Sequence, residues 1–189
     1  IINDDLVFTN DNAEIYCLDL KKNNINWSLV FQTSNFENKP LLFKSSPISI
    51  DKNGYIFLST NYGYTYAIDI KTGLIKWSKP IYSTNRFIIT EKYLINSWKD
   101  RVFMINKTNG KIVFNKNLSM SKNKKKILFK DVIVGNNWIY IFDNKGFKIA
   151  LDKNNFNKYS RSKVARNYED SIIYNNNLYI NTKNSILKY

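Results

Sequence analysis

The stretch that decides the fold is Tyr55-Ile-Phe-Leu-Ser-Thr-Asn-Tyr-Gly63-Tyr-Thr-Tyr-Ala-Ile-Asp69-Ile-Lys-Thr-Gly73-Leu-Ile-Lys-Trp77. Tyr55–Thr60 and Tyr64–Asp69 are short runs rich in β-branched and aromatic residues, parted by Asn61-Tyr62-Gly63. Runs of that length bounded by Asn and Gly read as two antiparallel strands joined by a hairpin. A second turn follows at Asp69–Gly73. There the Asp accepts bonds from the turn's own amides, and the Gly supplies the positive φ that closes it. The third run, Leu74–Trp77, ends on a side chain large enough to fill the wedge between two packed sheets. No apolar stripe at helical spacing competes with this reading.

The same unit recurs in both directions. Leu6-Val-Phe-Thr9, Glu14-Ile-Tyr-Cys-Leu-Asp19 and Asn24-Ile-Asn-Trp27 precede it, with Asp19 and Asp69, and likewise Trp27 and Trp77, 50 residues apart. Downstream come Tyr93-Leu-Ile95, Arg101–Asn106, Lys107-Thr-Asn-Gly110 and Lys111-Ile-Val-Phe114, which places Phe114 in the Trp position 37 residues after Trp77. A fourth copy has Trp138–Phe142, Gly146–Asp152 and Tyr159 in the Trp position. A fifth has Ser171–Tyr174, Asn177–Thr182 and Ser185–Tyr189. Fixed periods of this size, each worth four short strands, predict an all-β fold: a β-propeller of four-stranded antiparallel blades. The blades fall at about 1–28, 47–78, 85–116, 131–160 and 170–189, four to five blades of a larger ring. Blade one lacks most of its inner strand and blade five its outer strand. The chain opens on Ile1 without an initiator Met, so a fragment or processed product is expected, with blades missing upstream and Tyr189 near the natural C-terminus.

Composition narrows the chemistry. Of 189 residues, 43% are apolar and 15% aromatic, ample for a packed core. There is no His, which removes His acid–base catalysis, Cys/His zinc patterns and the serine or cysteine triads. The single Cys17 excludes an internal disulfide, and no apolar run approaches the length of a membrane-spanning helix. Asn (29), Ile (25) and Lys (25) are abundant while Arg and Ala occur 4 times each, a bias that an A- and T-rich genome produces unaided. The charge is nevertheless uneven. Residues 1–94 hold 10 basic and 9 acidic side chains, residues 95–189 hold 19 and 6, so the second half carries +13 of the total +14.

The string Ala67-x-Asp69-x-x-Thr72-Gly73-x-x-x-Trp77 resembles the tryptophan-docking repeat of PQQ-like (pyrroloquinoline-quinone) β-propellers. Asp19, Trp27, Gly110, Phe114 and Asp152 stand at matching positions of weaker copies, Phe114 replacing Trp. The resemblance implies a fold shared by the outer-membrane assembly lipoprotein family BamB, the quinoprotein alcohol dehydrogenases and the luminal sensors of some stress kinases. Quinoprotein dehydrogenases of this fold hold a quinone over calcium beside an Asp base and a disulfide of adjacent cysteines. One Cys cannot make that disulfide, and Asp19, Asp69 and Asp152 are claimed by turns. The reading is therefore a non-enzymatic protein, with no catalytic, cofactor-binding or metal-binding residues and no cofactor. By resemblance it is a protein-interaction scaffold of the cell envelope, periplasmic or outer-membrane-associated, that assists assembly of outer-membrane β-barrel proteins. A fragment of a PQQ-dependent dehydrogenase and the luminal domain of a stress receptor remain the alternatives.

Two basic windows mark the candidate partner-binding surface. Lys116, Lys122, Lys124, Lys125, Lys126 and Lys130 lie in 15 residues without a carboxylate, and Lys153, Lys158, Arg161, Lys163 and Arg166 form the second window. A solvated lysine-rich loop explains such runs as well as an acidic protein or membrane surface does. Nucleic acid fits less, because the repeat aromatics are committed to packing and leave no stacking platform. Both windows are expected between the outer strand of one blade and the inner strand of the next, hence on one face of adjacent blades. The equivalent connection in blade one, Ser28–Ser46, carries Phe36 and Phe43 as candidate apolar anchors.

Overall fold

A computed structural model describes residues 4–31, 42–99, 101–118, 127–164 and 168–189. Every regular element among them is a strand, and no helix there is long and apolar enough to cross a membrane. The strands form five sheets, each a meander of consecutive strands. The first contains β1 (Asp5–Thr9), β2 (Glu14–Asp19) and β3 (Asn24–Val30). The second contains β4 (Ser49–Ile50), β5 (Tyr55–Ser59), β6 (Thr65–Asp69) and β7 (Ile75–Lys79). The third holds β8 (Ile88–Ile89), β9 (Tyr93–Trp98), β10 (Arg101–Asn106) and β11 (Ile112–Asn117). The fourth holds β12 (Phe129–Val134), β13 (Trp138–Asp143), β14 (Phe147–Asp152) and β15 (Tyr159–Lys163). The fifth holds β16 (Tyr168–Tyr174), β17 (Asn177–Thr182) and β18 (Ser185–Lys188). The first sheet therefore has no described inner strand and the fifth no described outer strand. Chain packing divides these residues into two units, 1–94 with 105–111, and 95–104 with 112–189.

The first unit is built on tryptophan docking. Trp27, on β3, donates its Nε1–H to the carbonyl of Ile70 at 2.6 Å, in the turn that follows β6. Trp77, on β7, repeats this toward the carbonyl of Lys107 at 2.9 Å, in the turn that follows β10. Each indole lies against a glycine whose backbone has positive φ: Gly73 (70°) under Trp27 and Gly110 (71°) under Trp77. A Cβ on Gly73 would sit 2.7 Å from the Trp27 ring, and one on Gly110 2.8 Å from that of Trp77. Only glycine meets both demands, the left-handed backbone and the close approach of a ring. Docking satisfies the one polar atom of a large apolar side chain, leaving Trp77 only 8% exposed.

The turns are held by their leading side chain. Asp69 Oδ1 accepts the amides of Lys71 (2.9 Å) and Thr72 (3.3 Å), and Asp19 Oδ1 those of Lys21 (2.9 Å) and Lys22 (3.0 Å). Asn106 does the same for Thr108 and Asn109, and Asp152 for Asn154 and Asn155. With Trp27 packed against it, a buried cluster holds Ile15, Cys17, Phe31, Phe43, Ile56, Leu58 and Ile68. Burial there, with Asp5 nearby, pushes the Cys17 thiol up to about 11. In the second unit Phe142 stacks on Tyr168 with ring centroids 4.6 Å apart, packed with Leu178 and Ile180.

The fourth sheet departs from the sequence reading. Trp27 pairs with Cys17 and Trp77 with Ala67, and in both ladders the register then shifts by one residue. The β14–β15 ladder has no such shift, and Tyr159 pairs with Leu151. Ser160, opposite Ala150, occupies the Trp position in place of Tyr159. The reason is the turn. Asp69 and Asn106 bond back to Leu74 and Lys111, five residues on, whereas Asp152 bonds to Lys158, six on. The additional turn residue replaces the bulge. Phe156, in that longer turn, meets Phe114 at 5.7 Å, so an aromatic on the turn takes the place of indole on glycine.

Trp77→Ala should lower stability by about 3–5 kcal/mol in chemical denaturation, because it leaves a cavity and frees the Lys107 carbonyl. Gly110→Ala should also destabilise, since it strains φ and drives a methyl into the indole. A change within about 0.5 kcal/mol for either variant would show that the dock does not hold the sheets.

Candidate partner-binding surface

A four-stranded meander has two ends. The first and third turns leave one end, and the second turn leaves the other, together with the connection onward. In the fourth sheet Lys153 makes the first arrangement visible, its Nζ donating to the Gly135 carbonyl at 3.1 Å across two turns of the same end. At the other end the Val164 amide donates to Gly146, and the Asn144 amide to Leu128. This second end carries the connections.

The first basic window divides between strands and connection. Lys116 is half-buried on β11 with its Nζ 4.7 Å over the Tyr159 ring, and Lys130 is exposed on β12. Lys122, Lys124, Lys125 and Lys126 lie outside the described residues, as do Arg166 and Phe36.

The second window is not where the sequence reading put it. Because β15 already begins at Tyr159, Lys153 and Lys158 sit in the turn before it, at the end of the sheet opposite the connections. Lys158 there lies 4.0 Å from Asp152. Arg161 is no free surface charge either. It donates to Asp143 Oδ2 at 2.8 Å, its guanidinium lies 3.8 Å over the Phe147 ring, and the two charged side chains are 16% and 1% exposed. Lys163, the last residue of β15, is exposed at the connection end. Phe43 is a second correction. It is 6% exposed and stacked on Phe31 at 5.7 Å, with Tyr62 edge-on at 5.5 Å, so it belongs to the core instead of a partner surface.

Residues that the windows missed complete the connection end of the second unit. Lys99 occupies the turn after β9, its carbonyl bonded to the Phe129 amide that opens β12. Lys145 occupies the β13–β14 turn and Lys183 the β17–β18 turn, and all three are exposed. Repeat position identifies them, since every second-to-third turn leaves the same end as the connections. Of the carboxylates at this end, Asp143 is paired with Arg161, and Asp131 accepts from the hydroxyl of Tyr168 at 2.8 Å. Among the described residues Lys99, Lys130, Lys145, Lys163 and Lys183 form no salt bridge, and the exposed Glu169 and Asp170 at the start of β16 share that end with them.

The carboxylates do not fit a calcium–quinone centre. Asp19, Asp69 and Asp152 spend Oδ1 on turn amides and turn Oδ2 toward Lys22 (3.5 Å), Lys76 (3.6 Å) and Lys158 (4.0 Å). Among the described residues no three acidic or thiol groups converge as a metal site.

Docked indoles, Asx-headed turns and repeated antiparallel meanders are those of a β-propeller fold, and the repeats are similar to those of PQQ-like propellers. Residues 31–116 match the family model described as outer membrane protein assembly factor BamB. BamB from Moraxella catarrhalis superimposes with a TM-score of 0.71 at 15% identity, over 98% of this chain and 53% of that one. The β-propeller domain of Myceliophteria thermophila Cps50 (Swd1) gives 0.67 at 12%, over 98% and 60%. A europium-containing methanol dehydrogenase gives 0.50 at 17%, over 61% and 23%. The chain spans about half the length of the first two. At these identities the likeness defines the fold alone. Among curated proteins none matches the sequence.

Arg161→Ala should cost about 3 kcal/mol or more, because it strands the buried Asp143 carboxylate. Lys163→Ala should change stability by less than about 0.5 kcal/mol. Equal, small effects in urea denaturation would return Arg161 to the surface charges.

Proposed function

We propose that the chain is part of a non-catalytic interaction scaffold of the cell envelope, periplasmic or outer-membrane-associated, that aids assembly of outer-membrane β-barrel proteins. The observation that carries this reading is the match of residues 31–116 to the BamB family model. The exposed lysines without a salt bridge at the connection end of the second unit support it, because they suit an acidic protein surface. Such charges act mainly on the rate of encounter and are salt-sensitive, while apolar anchors govern lifetime. Acidic membrane lipid is a weaker candidate and nucleic acid weaker still, since no aromatic stacking platform accompanies the cations.

Surface plasmon resonance against the periplasmic domains of a β-barrel assembly component from the same organism tests the proposal. Association should slow as salt rises. Reversing Lys124, Lys125 and Lys126 together with the exposed Lys130 should slow it by about tenfold and flatten its salt dependence. No binding, or binding indifferent to both, would overturn the reading.

A dehydrogenase fragment is the second reading, favoured by the likeness to the methanol dehydrogenase. It requires alcohol-dependent dye reduction after reconstitution with pyrroloquinoline quinone and calcium. The committed turn carboxylates lead us to expect none.

A further inference from the structure

A buried ion pair joins the turns of the second and third sheets. Asp51 heads the β4–β5 turn, and its Oδ1 accepts the amides of Asn53 and Tyr55, each at 2.9 Å. Its Oδ2 accepts from Lys107 Nζ at 2.8 Å, and the two side chains are 1% and 11% exposed. Lys107 is fixed through its backbone as well. Its amide donates to the Lys92 carbonyl at 3.1 Å, and its own carbonyl receives the Trp77 indole. The ammonium is thus held in place before any ligand arrives. All of these residues belong to the first unit, and both sheets have their four strands described.

The pair lies at the floor of a cleft of about 440 Å³, at the end of these sheets opposite the connections. Ile50 and Ile89, the last residues of β4 and β8, give it apolar walls. Lys52 and Glu91, both exposed, stand at its mouth, and neither forms a salt bridge among the described residues. The unspent hydrogen-bonding capacity at depth is on the cation. Asp51 has taken three donors, and the Thr90 hydroxyl is closed on Tyr93, donating to its carbonyl and accepting from its amide. An ammonium carries three protons, and Lys107 gives only one of them to a described side chain. An acceptor therefore suits the floor. A polyanion does not suit the whole, since the two cations and two carboxylates of the lining cancel. A ligand whose own acid and amine cancel matches that balance.

We propose that this cleft binds a small zwitterion of the amino-acid type, a free amino acid or a dipeptide with branched apolar side chains. Its carboxylate takes the unspent protons of Lys107, its ammonium meets Glu91, and its apolar side chain lies between Ile50 and Ile89. Lys52 adds attraction for the acid as it enters. Apolar walls with a few placed polar groups, in a cleft of this size, are the usual setting for a small ligand. The site is independent of the scaffold reading and of the lysines of the second unit.

Saturation-transfer NMR titration of the chain with L-leucine, and separately with the dipeptide Leu-Leu, tests this. At least one should bind saturably, and the tighter of the two gives the length that spans Lys107 to Glu91. Acetylating the amine of that ligand, or converting its acid to the amide, should weaken binding by about tenfold each. Glu91→Lys, at an exposed position, should leave melting unchanged, weaken the zwitterion by about tenfold and make the acetylated form the better ligand. Asp51→Asn with Lys107→Met removes the pair together, so no charge is stranded, and should abolish binding. Should that double variant unfold, Glu91→Lys decides alone. No binding by either ligand, equal binding by the blocked forms, or indifference to Glu91→Lys would each overturn the proposal. So would binding retained by a folded double variant.

Discussion

The indole docked on a glycine turn is the contact on which the sheets depend. A propeller sheet is amphipathic on both faces and cannot stand alone, so something must fix how consecutive sheets meet. Trp27 and Trp77 do so with one ring each, combining a large apolar contact with a hydrogen bond that leaves no buried donor unpaired. Gly73 and Gly110 are the other half of the contact, and so are Asp69 and Asn106, which shape the turns that present them. The three parts act as one device. Losing any of them leaves the other two in strained or open positions.

That device fades along the chain. At Phe114 the ring survives without the N–H, and its partner is Phe156 in place of glycine. At Ser160 the ring is gone as well. Between the fourth and fifth sheets the contact is instead Phe142 stacked on Tyr168, whose hydroxyl donates to Asp131. The buried pair of Arg161 with Asp143 lies within the fourth sheet, tying β15 to the end of β13. Two modes of docking thus coexist along the repeats, indole on glycine early in the chain and ring stacking later.

The fold was legible because period-two alternation, Asx–Gly turns and a terminal aromatic are local signals that repeat. They gave the strands that follow the innermost one in each sheet and the role of Asp69, Gly73 and Trp77, but not the inner strands β4, β8 and β12, two of which are only two residues long. Tyr159 was misplaced because counting residues cannot distinguish a longer turn from a missing bulge, and only the hydrogen-bond ladder does. The surface was less legible. Whether Arg161 is free depends on Asp143, 18 residues away, and whether Phe43 is exposed depends on Phe31 and Tyr62 packing over it. Lys99, Lys145 and Lys183 escaped notice because they are isolated in sequence. Charge runs draw the eye, but position in the repeat decides which charges share an end of a sheet.

The direction of docking has a consequence for synthesis. Each tryptophan reaches forward, Trp27 to a carbonyl 43 residues later and Trp77 to one 30 later. A growing chain therefore holds each finished sheet with its ring unhoused until the next Asx turn emerges. Domains fold from the N-terminus at roughly 5–20 residues per second during synthesis, so each wait lasts some seconds. The glycine turn that captures the ring acts as a latch. For the first two sheets, then, docking must follow the order of the chain, each ring waiting on a turn made after it.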